Sequence, residues 1–303
     1  MTLQQIRYAI AVADTGSMNE AAKQLFIAQP SLSVAIRELE EEVGFSIFIR
    51  SRKGVEVTPE GKEFFGYIRQ VSEQFSLVED KYLRTEKRKK RFSVSSQHYS
   101  FAIKAFVETV RQFGMDEYEF TMKETKTYEV IEDIKFSKSE IGIIYLNDFN
   151  EKVLNKLLLE NNLEFTELLQ CNAYVYLWKG NPLANRESLS MEELEPYPCL
   201  AFDQGNNNSF YFAEELLSDY QYKRLIRVND RATILNLMVG LNGFTLCSGI
   251  ICEELNGQDF VALPLKTAEI MKIGYITRKN SIMSEIGKVY INEMIKYMDC
   301  VNC

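Results

Sequence analysis

The sequence predicts an α/β protein with an N-terminal all-α winged helix-turn-helix, joined by a long linker helix to two α/β lobes with mainly parallel sheets. Three observations predict it. Short helices meet at close quarters within Ser17 to Arg50, an apolar repeat stepping by four and three residues runs from Phe64 to Tyr82, and beyond Phe92 short apolar strands alternate with helical stretches.

Leu3, Ile6, Ile10 and Ala13 mark a first helix that ends near Gly16. Ser17 and Glu20 have capping-box spacing, in which hydroxyl and carboxylate each satisfy an orphan backbone N–H, and Ala21, Ala22 and Leu25 form the apolar face of the second helix. A third helix opens at Gln29-Pro30, with proline where its missing N–H costs nothing. Leu32, Ala35, Ile36, Leu39 and Val43 recur at helical spacing and face a core. The opposite face offers Gln29, Pro30, Ser31, Ser33 and Arg37 to a partner, and its small polar front suits insertion into a DNA major groove.

The stretch from Gly44 to Val57 reads as two short strands around a basic turn, a wing carrying Arg50, Arg52 and Lys53. Such a cluster neutralises phosphates whatever charge the rest of the chain carries. Thr58-Pro59 opens the next helix, with Thr58 as its cap. There Phe64, Ile68, Val71, Phe75, Val78 and Tyr82 form a coiled-coil seam whose natural partner is a second copy of the same helix. About thirty residues at ~1.5 Å each would make an arm of roughly 45 Å. The alternative is a helix packed on its own domain. The run Lys87 to Arg91 reads most simply as a solvated linker, with contact to phosphates as the alternative.

Strands are expected at Phe92–Val94, Tyr118–Met122, Ile141–Tyr145, Ala173–Leu177, Cys199–Phe202, Arg227–Val228, Phe244–Cys247 and Ile273–Ile276. The domain boundaries that follow are 1–58 for the winged head, 59–90 for the linker helix and 91–303 for the α/β region. Within that region one lobe takes about 91–163 and 268–303, and the other about 164–267.

With 303 residues, 46% of them hydrophobic and 26% charged, the chain has the composition of an ordinary soluble protein. No apolar run approaches the ~18 to 20 residues of a membrane span, so no membrane partner and a cytoplasmic location are expected. A net charge of −8 argues against a protein that coats nucleic acid indiscriminately, while an acidic effector domain can dominate the sum. All six cysteines lie in the second half; Cys300 and Cys303 have CxxC spacing at the extreme C-terminus. His98 is the only histidine, which excludes a histidine-based catalytic triad and a multi-histidine metal site. No phosphate-cradling loop is present. No metal or other cofactor is expected, and an enzyme on this scaffold is disfavoured.

In their order and spacing these pieces resemble a LysR-type transcriptional regulator. The matching residues in the head are Ala21-Ala22 with Leu25, Gln29-Pro30-Ser31-Leu32-Ser33, Ile36, Leu39-Glu40, Gly44, Phe48 with Arg50, and Thr58 with Gly61. Further on they are Gly180-Asn181-Pro182-Leu183-Ala184, Leu194, Gly243 and Leu263-Pro264-Leu265. Two departures stand out: Ala28 occupies the helix-cap position where the family usually has Ser or Thr, and Asn242 puts polarity into the turn Gly240 to Gly243.

The resemblance implies a DNA-binding regulator controlled by a small-molecule effector, of unknown identity, held between the two lobes. Gln29 would pair with an adenine edge or else touch only phosphate. Ser31 and Ser33 allow close approach, and Arg37 reaches DNA or pairs with Glu40 or Glu41. Arg50 is a phosphate contact, and Arg52 and Lys53 lie along the flanking groove. A dimer would require an inverted-repeat operator in double-stranded DNA. Assembly of homodimers into a homotetramer, and contact with RNA polymerase, are implied by the resemblance alone. At strand ends Ser96, Gln97, Thr125, Thr127 and Gln204 are the expected effector contacts, against the alternative of ordinary turn and capping residues. His98 is either a sensor of ligand charge or a surface turn residue. The competing reading is a solute-binding protein of the transport class, which shares the two-lobed fold.

Overall fold

A computed structural model describes residues 1–51, 54–82, 89–113, 117–207 and 209–297. The chain divides into two units, Met1–Lys87 and Arg88–Cys303, each with its own core.

The first unit holds α1 (Leu3–Thr15), α2 (Met18–Gln24), α3 (Gln29–Val43), β1 (Phe48–Ser51), β2 (Gly54–Val57) and α4 (Pro59–Tyr82). Its core joins Ile6, Ala9 and Val12 of α1 to Ala21, Leu32, Ile36, Leu39 and Ile47. The capping box belongs to α1, where the Thr2 hydroxyl and the Gln5 side chain satisfy each other's backbone N–H. At α2 only half of the expected box forms: Ser17 accepts from the Glu20 N–H, but the Glu20 carboxylate turns to Lys23 instead (2.8 Å). Gly16 ends α1 in the left-handed region, and its carbonyl accepts from Val55 (2.8 Å), tying the wing to that helix end. Thr58 caps α4 as expected, accepting from the Gly61 N–H (2.9 Å). A side chain at Gly61 would collide with the Ile47 carbonyl, so glycine is required there.

The linker helix packs one side on its own domain and leaves another side exposed. Phe65 and Ile68 (2% exposed) are buried in the core of the first unit, so Ile68 is spent inside its own domain. Phe64 packs edge-on against Phe45, and Phe75 lies under the Arg7 guanidinium. Tyr67, Val71 and Val78, by contrast, are exposed along one side. Tyr82 closes the helix, and its side chain lies outside the description.

The second unit begins with β3 (Lys90–Ser96), α5 (Ser100–Phe113), β4 (Tyr118–Glu124), α6 (Thr127–Lys135), β5 (Ile141–Leu146), α7 (Glu151–Glu160) and β6 (Leu163–Asn172). It continues through β7 (Tyr174–Trp178), α8 (Met191–Leu194), β8 (Cys199–Phe202), β9 (Leu225–Val228), α9 (Arg231–Leu241), β10 (Phe244–Cys247), α10 (Glu253–Asn256) and β11 (Phe260–Pro264), then β12 (Ile270–Arg278) and α11 (Glu285–Ile295). Two five-stranded sheets result, in the orders β4-β3-β5-β12-β6 and β11-β7-β10-β8-β9. In each, the parallel pairings are confined to three strands, β4-β3-β5 and β10-β8-β9, and the remaining pairings are antiparallel. The sheets are therefore evenly mixed rather than mainly parallel.

The chain crosses between lobes one strand later than the sequence suggested, because β6 pairs along its length with β12 in the first sheet. The outward crossing is at Ala173 and the return runs through 265–269. The crossings are bonded to each other, Leu265 N–H to Ala173 carbonyl (2.9 Å). Part of the expected basic linker is strand: Lys90 and Arg91 open β3, and Arg91 pairs with Glu119 (3.1 Å). Asn242 is explained by backbone geometry, since it ends α9 at φ 53°, a left-handed cap that Asn tolerates.

Candidate functional site

Two places carry chemistry, one in each unit. In the first, α3 begins at Gln29 with Ala28 as its N-cap and no side-chain cap. Gln29 Nε2 donates to Ser33 Oγ (2.7 Å), so two of the expected DNA contacts hold each other. Pro30, Ser31 and Arg37 are exposed on the helix. Arg37 faces Glu41 at 3.7 Å with both side chains in water, a pair that gives way to phosphate at little cost.

Glu40 takes another part: its Oε1 accepts from the backbone N–H groups of Ile47 (2.7 Å) and Phe48 (3.0 Å), anchoring the start of the wing to α3. Arg50 is exposed on β1, opposite Val55. Arg52 and Lys53 lie outside the described residues. The sequence reading missed Phe26, which sits in the turn between α2 and α3 at φ 55° and is 96% exposed. No sequence signal marks that position, since a phenylalanine between Leu25 and Ile27 looks like a core residue.

In the second unit the expected contacts gather where the lobes meet, at the ends of β3, β4 and β8. All five are buried. Gln97 Nε2 donates to Thr127 Oγ1 (2.6 Å), and Thr127 Oγ1 donates to the Phe212 carbonyl (2.7 Å). Gln204 Oε1 accepts from the Thr127 N–H (3.0 Å), while its Nε2 donates to Glu214 Oε1 (3.0 Å). Gln97 Oε1 accepts from the Tyr145 N–H (2.9 Å) and the Tyr99 hydroxyl (3.1 Å). Ser96 Oγ donates to the Gln97 carbonyl (2.6 Å), and the Thr125 hydroxyl donates to Glu129. Gln97, Thr127 and Gln204 satisfy one another, and the bonds of Thr127 to Gln204 and Phe212 lace the lobes together.

His98 is not a surface turn residue. Its ring is stacked on Phe202 at 3.8 Å between centroids, its side chain is 7% exposed, and Nδ1 lies 2.8 Å from Glu214 Oε2. That carboxylate oxygen also accepts the His98 backbone N–H (2.9 Å).

Beside this network is a cavity of about 90 Å³. None of the five expected contacts lines it; His98, Phe202, Glu215, Tyr176, Arg231 and Thr245 do, among others. Burial, helped by the neighbouring Glu214, pushes the Glu215 carboxyl up to about 8. Its Oε1 accepts the Phe202 N–H (2.8 Å). Arg231 pairs with Glu124 across the lobes, and burial raises the Glu124 pKa against that pull. The described thiols are poor nucleophiles: burial pushes Cys171 and Cys247 up to about 12 and raises Cys199 and Cys252 as well. Cys300 and Cys303 lie outside the described residues, as do Lys87 and Arg88 of the basic run. Among the described residues no group of His, Cys, Asp and Glu is placed to hold a metal, and no helix is long and apolar enough to cross a membrane.

A DNA-reading head and a two-lobed ligand-binding unit in one chain define a ligand-responsive DNA-binding regulator. The family model described as the bacterial regulatory helix-turn-helix protein of the lysR family matches residues 3–62, and the LysR substrate binding domain matches residues 116–298. The chain belongs to the LysR family of transcriptional regulators.

Among its relatives, the uncharacterized HTH-type regulator YbhD of Escherichia coli is 23% identical over 299 residues, 97% of this chain and 90% of its own. The HTH-type regulator AlsR of Bacillus subtilis is 27% identical over 205 residues, 66% of this chain and 64% of its own. Among solved structures, a full-length OxyR variant from Pseudomonas aeruginosa shares the fold with a TM-score of 0.69, covering 97% of this chain and 98% of that one at 17% identity. The LysR-family regulator CbnR does so with a TM-score of 0.55, covering 98% and 99% at 18% identity. A solute-binding protein of the transport class is not favoured, because the DNA-binding model matches the head.

Proposed function

We propose that the protein binds an inverted-repeat operator as a dimer and that a small molecule in the interlobe cavity alters that binding. The observation that carries this reading is the α3 front: Pro30, Ser31 and Arg37 exposed beside Gln29, with the wing Arg50 exposed nearby in sequence and in the same unit. Gln29 and Ser33 read base edges, Arg37 and Arg50 take phosphates, and Arg52 and Lys53 extend the contact along the flanking groove. The second copy docks on the exposed side of α4 through Tyr67, Val71 and Val78, with Phe64 and Phe75 at its margin. Pairing of dimers into a tetramer, contact with RNA polymerase and action in the cytoplasm belong to the same reading.

Footprinting on the DNA upstream of the protein's own gene tests it. Gln29→Ala should lower selectivity between operator and random duplex by roughly tenfold, in line with a bidentate base contact. Arg50→Ala should weaken binding to all duplexes alike and flatten the salt dependence. Parental footprints from both variants would refute these assignments.

A further inference from the structure

Buried polar groups in folded proteins are nearly always hydrogen-bonded, so those that are not call for an explanation. Among the described residues, three buried side-chain atoms without a partner line one and the same cavity: the Tyr176 hydroxyl, the Thr245 hydroxyl and Arg231 Nε. Tyr176 and Thr245 are more than nine-tenths buried and sit directly opposite each other on the neighbouring strands β7 and β10. Cross-strand partners project to the same face with Cβ atoms about 5 Å apart. Arg231 opens α9 and is close enough to act on the Tyr176 hydroxyl electrostatically. Asn256 also acts on that hydroxyl, but no hydrogen bond of normal geometry closes between them.

We propose that this cavity takes a small monocarboxylic acid with a short apolar tail, its carboxylate held by the Tyr176 and Thr245 hydroxyls and by the Arg231 Nε–H. This rests on the reading of the second unit as the effector-binding part of a regulator and names the chemistry of its ligand.

The polar atoms fit an acceptor. Two hydroxyls that can donate and one N–H that can only donate leave a gap complementary to carboxylate oxygens. The rest of the wall fits the tail: Phe101, Phe202, Ile234, Leu246, Ile250 and Met271 offer apolar surface. Size limits the tail. At about 90 Å³ the cavity is smaller than the roughly 150 Å³ void that admits benzene. Chains of about three to five carbons therefore suit it, by the same comparison.

Hydrogen bonding tempers the negative charge already beside the cavity. Glu214 is engaged by His98 and Gln204 on both of its oxygens. Glu215 holds its proton at neutral pH, since burial pushes it up to about 8, and so does not repel an anion. Arg231 spends one terminal nitrogen on Glu124 and keeps Nε free for the ligand.

Calorimetric titration of the full-length protein with butyrate, isobutyrate, butyramide and butylamine tests the proposal. The acids should bind, with the amide and the amine at least tenfold weaker. Tyr176→Phe and Thr245→Val, which remove one hydroxyl each and keep the shape, should each weaken acid binding roughly tenfold. The same variants should melt no lower than the parent without ligand, because they delete a buried group that has no partner.

Equal binding of acid and amide, binding of the amine alone, or a lower ligand-free melting temperature in both variants overturns the proposal. Acid binding that leaves operator affinity unchanged would support the ligand class and refute the regulatory reading. Operator binding without response to any of the four compounds would refute the ligand class alone.

Discussion

Glu215 links folding to pH in the range between the usual carboxyl value and about 8. Its carboxyl moves from an ordinary 4.5 to about 8 because folding strips it of water beside Glu214. Between those values the native chain holds a proton that the unfolded chain has lost. Unfolding then releases a proton, and stability falls as the pH rises from about 4.5 to about 8. Glu215→Gln keeps an acceptor for the Phe202 N–H but cannot ionise. Its melting temperature relative to the parent should therefore climb across that window, and a difference independent of pH would contradict the assignment. Ala28 offers a simpler case. It caps α3 with no side-chain hydrogen bond, so Ala28→Ser should stabilise the head by about 1 kcal/mol in urea unfolding.

At the scale of elements, α4 has two faces with different duties. Phe65 and Ile68 are buried in the head, whereas Val71 and Val78 are 46% and 49% exposed. Val71→Glu with Val78→Glu should leave the monomer folded and halve the mass seen by light scattering at micromolar concentration. An unchanged mass would place the dimer contact elsewhere.

Elements were readable in the sequence where one pattern dominated. Ile141–Leu146 is apolar throughout and buried throughout, and α3 keeps strict helical spacing with proline at its start. β6 escaped notice because Leu163–Asn172 mixes acidic and apolar residues without clean alternation, and β11 because it ends in proline. The site followed the same rule. Loop residues at strand ends were visible as polar punctuation, and the structure does bring Gln97, Thr127 and Gln204 together. Tyr176 and Thr245 were not visible, since inside a strand a tyrosine or threonine looks like any β-forming residue.

At the scale of the whole molecule, the head and the two-lobed unit each close a core of their own. Residues 88–303 expressed alone should bind butyrate as the full chain does and lose operator binding entirely in gel-shift assays. Loss of acid binding in that fragment, with native circular dichroism, would mean that the head contributes to the pocket.

The two strand crossings at Ala173 and Leu265, bonded to each other, give the lobes a shared axle. Rotation about such an axle bends two neighbouring segments and breaks no sheet pairing; what it must part are the bonds of Thr127 to Gln204 and Phe212 and of Arg231 to Glu124 across the lobes. Sliding or splaying would tear the bond between the crossings. Small-angle scattering with and without a bound acid should thus report a change along one angular coordinate, a nutcracker's swing that conserves each jaw.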